Sequence, residues 1–92
     1  MQQLEKKPAS DGTVRAAIRD LSVLAYAKGF TLWHYRAEMS GLDHVAERGF
    51  FNDAADMLAV GDMVLVSARD GGTVLFVTVA DRGVETAPLT AV

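Results

Sequence analysis

The sequence predicts an α+β domain: one N-terminal helix, two short helical turns, and a small antiparallel β-sheet or partly open barrel of about four strands. Three observations predict it. Val14, Ala17, Ile18, Leu21, Leu24 and Ala25 recur at spacings of three and four, as on one face of a helix. The stretch FTLWHYR (30–36) is aromatic and β-favouring, and lies between Gly29 and a Ser40–Gly41 break. The last third holds three apolar runs separated by Asp70–Gly71–Gly72 and Asp81–Arg82–Gly83. Both breaks carry hairpin chemistry.

Taken in order, residues 1–12 are polar and broken by Pro8, Ser10, Asp11 and Gly12, which predicts a flexible N-terminal arm before a single domain over 13–92. Thr13 or Asp11 can cap the predicted helix, and Lys28 followed by Gly29 suits its end. In the strand that follows, Thr31, Trp33 and Tyr35 share one face while Leu32, His34 and Arg36 share the other. SGLDHVAERGFF offers Ser40 and Asp43 as caps, Val45 pointing inward and Gly49 as a stop. NDAADMLAVGD repeats that logic, with Asn52 as cap, Asp53 and Asp56 in the first turn, and Gly61 ending it. In the middle strand of the C-terminal third, Val74 and Phe76 point one way, and Leu75, Val77 and Val79 the other. Both faces are apolar, so cover is expected on both sides, one of them from a second copy. Pro88 marks the final strand as an edge.

Composition narrows the function. The 92 residues carry a net charge of −3, a poor match to nucleic-acid phosphates. With no cysteine, disulfides and thiolate metal sites are excluded. The start, MQQLEKKPASDG, has no apolar signal core, and no apolar run approaches the roughly 20 residues of a membrane span. A soluble protein made in the cytoplasm is expected. Half of the residues are apolar, generous for so short a chain, and a partner interface would absorb the surplus.

The chemistry-bearing residues form no recognised constellation. His34 and His44, with Asp43, Asp62, Ser40 and Ser67, supply residue types for catalysis but not its spacing. No H-x-x-x-H or H-x-H pair exists to ligate a metal, and Gly71–Gly72 lacks the lysine and serine of a phosphate loop. Asp53 and Asp56 read as partners of a helix start. No cofactor, metal or catalytic residue is expected. Trp33 and Tyr35 are expected first as core and second as a stacking platform.

Together, Leu32, Trp33, His34 and Tyr35, then Asp43, then Gly49, Phe50, Phe51, Asn52, Ala54, Ala55, Met57 and Leu58, then Gly61 and Asp62 make an L-W-H-Y … G-[YF]-F-N-x-A-x-x-[ML]-L … G-D pattern. The pattern, spanning about Gly29 to Val66, resembles that of small head-spike and head-fibre structural proteins of tailed phages and gene transfer agents. Physically, Gly61 allows a tight turn, Asp62 can accept backbone N–H groups where a strand begins, and Phe50, Phe51, Met57 and Leu58 can close a core over Trp33.

The resemblance implies a non-enzymatic virion component: a base or adaptor of a head spike or fibre, oligomerising as a trimer or pentamer and linking capsid protein to fibre protein at a capsid vertex. It would be made in the bacterial cytoplasm and then join a phage-like particle, contacting neither nucleic acid nor membrane. Leu75, Val77 and Val79 are the expected self-association surface, and Leu4, Lys6 and Lys7 the expected capsid attachment. The alternative is a receptor-binding module that meets host-surface polysaccharide through Trp33, Tyr35 and Arg36. A capsule hydrolase is disfavoured, because no carboxylate pair stands on a rigid groove.

Overall fold

The computed structural model describes residues 15–88. The expected 1–12 arm, with Leu4, Lys6 and Lys7, lies outside the described residues. Five strands form one sheet in chain order: β1 (Leu21–Ala27), β2 (Phe30–Ala37), β3 (Met63–Ala68), β4 (Gly71–Ala80) and β5 (Val84–Pro88). All neighbours are antiparallel except β2 and β3, which run parallel. Helical structure among the described residues is confined to α1 (Leu42–Val45) and two 3₁₀ turns, Ile18–Asp20 and Asn52–Ala54.

The fold is therefore mostly β, which corrects the α+β expectation in two places. The predicted N-terminal helix is not formed: its second half is strand β1. Leu21, Leu24 and Ala25 do repeat at helical spacing, but Val23 and Tyr26 between them favour a strand, and the next segment offers a partner. Lys28–Gly29, read as a helix stop, is a two-residue hairpin loop, with Ala27 paired to Phe30 and Gly29 at φ 94°. That positive φ is the conformation short hairpin loops demand. The second correction concerns the sheet, which is mixed and five-stranded rather than antiparallel with about four strands. Residues 38–62 are too many for a hairpin and act as a crossover, which returns the chain parallel to β2.

The crossover packs on one face of the sheet. Val45, Phe50, Phe51, Ala54 and Leu58 from it meet Trp33, Tyr35, Val64, Val66, Leu75 and Val77 from the strands in one buried cluster. Phe50, Phe51 and Tyr35 stack edge to face, with centroids 5.1–5.7 Å apart. This is the geometry that aromatic quadrupoles prefer. The opposite face carries Leu32, Met63, Leu65, Val74 and Phe76, all half-buried. One row of it runs Leu32–Met63–Phe76 straight across three strands.

Candidate functional site

The motif residues converge on the carboxylate of Asp62, which is only 3% exposed. Its Oδ1 accepts the Thr31 backbone N–H at 2.9 Å. Its Oδ2 accepts the indole Nε1–H of Trp33 at 2.9 Å and the Ala59 backbone N–H at 3.0 Å. A carboxylate taken out of water is costly unless its lone pairs are met, and here three donors meet them. Gly61, at φ 98°, makes the turn that points Asp62 inward. The same two residues extend the sheet: Gly61 N–H donates to Val77 C=O, and Val77 N–H to Asp62 C=O. One side chain thus ties the end of the crossover to β2, while its backbone is tied to β4.

Two further side chains fasten the crossover from a distance. Asn52 Oδ1 accepts the Val84 N–H at 2.7 Å, so the residue expected as a helix cap instead holds the start of β5. Gly83 lies close beside it: a Cβ there would fall 2.9 Å from Asn52 Oδ1 and push against the amide that holds Val84. At α1, the Leu42 N–H is taken by Asp70 Oδ1 at 2.9 Å, from the β3–β4 loop. Ser40 and Asp43, the caps expected from sequence, do not serve there, as no local side chain caps α1. Tyr35 reaches the other way: its hydroxyl oxygen accepts the Ala17 N–H at 2.9 Å. Burial pushes the Tyr35 phenol above its ordinary value, with Asp20 adding to the rise, while the Ala17 hydrogen bond and Arg19 oppose it.

The other sequence candidates fall in separate places. Leu32 and His34 lie on the half-buried face, where His34 Nε2 and Ser67 Oγ are 2.8 Å apart across the parallel pair. His44 packs its ring against Phe50 in the crossover, at 5.5 Å. Among the described residues, no three His, Cys, Asp or Glu side chains stand close enough to hold a metal ion. Trp33 and Tyr35 turn into the core at 7% and 4% exposure, leaving Arg36 alone of that trio at the surface, paired with Glu38 at 3.0 Å. Phe50, Phe51 and Leu58 are buried as expected over Trp33, but Met57 is 39% exposed. Leu75 and Val77 lie in the chain's own core, and only Val79 of that group reaches solvent.

What the sequence reading missed is distant pairing: Asn52 with Val84, Asp70 with Leu42 and Tyr35 with Ala17. No local spacing announces contacts between residues so far apart in the chain. Two depressions open onto the surface. One of about 380 Å³ is lined by Arg36, Glu38, Ser67 and Arg69, and one of about 330 Å³ by Arg48, Asn52, Arg82 and Glu85. Among the described residues, no helix is long and apolar enough to cross a membrane. No protein-family model, curated protein or solved structure matches the chain.

Proposed function

We propose that the chain is a non-enzymatic structural component of a phage-like particle, a base or adaptor of a head spike or fibre that self-associates and joins capsid to fibre. The observation that carries this reading is the use made of the motif. Of the polar residues of the pattern, Asp62, Trp33, Asn52 and Tyr35 are each committed to a hydrogen bond between segments far apart in the chain. Residues so engaged specify a rigid small body, as an assembly unit requires. Part of the apolar surplus lies at the rim, where Val23, Leu24 and Tyr26 are 38%, 52% and 80% exposed. Small subunits of this kind gain holding strength from repetition around a symmetry axis. The test is mass spectrometry of density-purified particles, with gold-labelled antibody to locate the protein. It is expected at the head in a fixed copy number per particle. Absence from particles that retain their spikes would refute the assignment.

A further inference from the structure

Strand β1 is an edge, hydrogen-bonded to β2 alone. Of its seven residues only Leu21 is buried, and Ser22 through Ala27 are exposed. It contains no charge and no proline, the usual means of keeping an edge unpaired. The opposite edge has such protection. β5 is shorter, ends in Pro88, and faces a bulge at Thr78 of β4. β1, although it too carries a bulge, at Leu24, is the longer edge and is free of proline and charge.

We infer that β1 is the self-association surface, pairing antiparallel with β1 of a second copy about a two-fold axis near Leu24. This rests on the self-association in the function proposed above and names its surface. Charge selects the occupant. Asp20 precedes the strand and Lys28 follows it, and neither has an ion-pair partner among the described residues. An antiparallel copy brings each Asp20 end beside the partner's Lys28–Gly29 turn, so the same complementarity is satisfied twice.

The bulge at Leu24 then restricts the register. Leu21 and Val23 stand opposite Tyr35 and Trp33 and share their face, and beyond the bulge Tyr26, opposite Thr31, returns to it. Residues facing each other across a two-fold antiparallel pair point to the same side of the sheet. Tyr26 therefore meets either the partner's Val23 or the partner's Leu21. The first register makes two Val–Tyr cross-strand pairs of the favourable β-branched and aromatic kind. This contact is isologous and closes at two copies, and β5 offers no matching edge for a ring.

The test is sedimentation of the full chain over a concentration series. Wild type should reach a dimer, and Tyr26→Lys, at a side chain that is 80% exposed, should raise the dissociation constant about tenfold or more, with the same urea midpoint as wild type at concentrations low enough that both are monomeric. Met39→Lys, at an equally exposed site off the strand, should leave the mass alone. Asp20→Lys should weaken the dimer, and adding Lys28→Asp should restore it. A monomer at every concentration, a trimer or pentamer, or a mass indifferent to Tyr26→Lys would each overturn the inference. Presence of the protein in purified particles is read separately, so the surface can fail while the proposed function stands, and the reverse.

Discussion

On β2, Trp33 donates its indole proton to Asp62 and lies 7% exposed; on β1, Val23, its register partner, is 38% exposed. The two residues are neighbours in the same sheet, on the same face. What separates them is the reach of the crossover, whose buried side chains gather over β2, β3 and β4 and leave the β1 rim bare. Where the cover lies, every strongly polar buried atom described above has a partner from a remote segment. Beyond it, apolar side chains stand in water with none. On this face of the sheet, burial is thus decided less by how apolar a residue is than by whether the crossover's side chains reach over it.

Removing Asp62 should break the covered side hardest. Asp62→Ala leaves the Thr31, Ala59 and Trp33 N–H groups buried without an acceptor. At about 1–3 kcal/mol for each unsatisfied donor, the expected loss is about 3 kcal/mol or more, a large share of a small domain's stability. Urea denaturation followed by circular dichroism measures it. A loss below about 1 kcal/mol would mean that water replaces the carboxylate, and that the covered face is no better sealed than the rim.

Much of the covered side was legible in the sequence, because its signals are local. FTLWHYR reads as a strand from its composition, Gly61–Asp62 as a turn that hands N–H groups to a carboxylate, and Phe50–Phe51 as core. The rim was not legible. Leu21, Leu24 and Ala25 satisfy a helical period as well as a strand, and the choice is made by β2, which supplies hydrogen-bonding partners that a periodicity cannot show. Likewise Asn52 looked like a cap because Asn commonly is one; its true partner, Val84, becomes adjacent only after four strands have found their order.

Asn52→Ala should cost less than the loss of Asp62, about 1–2 kcal/mol, since one N–H rather than three loses its acceptor. Its effect should also be local. The β5 amides, Val84 first, should exchange hydrogen faster by a larger factor than those of β2 and β3, because the crossover is released at one end only. Uniform acceleration across the sheet would indicate that β5 and the Asp62 region open as one unit, and that the cover is not fastened at separate points.

The smallest effect expected is also the one that links the two regions. Tyr35 belongs to the covered face, yet its hydroxyl holds Ala17, from which the 3₁₀ turn leads directly into β1. Tyr35→Phe keeps the ring packing against Phe50 and Phe51 and gives up that single hydrogen bond, so about 1 kcal/mol should be lost near neutral pH. Alkaline pH supplies a second, independent reading. The folded phenol titrates above its ordinary value of about 10, so between those two points the unfolded chain releases a proton that the folded chain retains. The contribution of Tyr35 is therefore complete below pH about 10 and declines as pH rises toward the folded value. Other titrating groups are common to both proteins and cancel in the difference. The stability gap between wild type and Tyr35→Phe should accordingly narrow as the pH is raised past about 10. A gap that stays constant through that range would show that the hydroxyl is open to solvent, and that the root of β1 is no better anchored than its exposed strand.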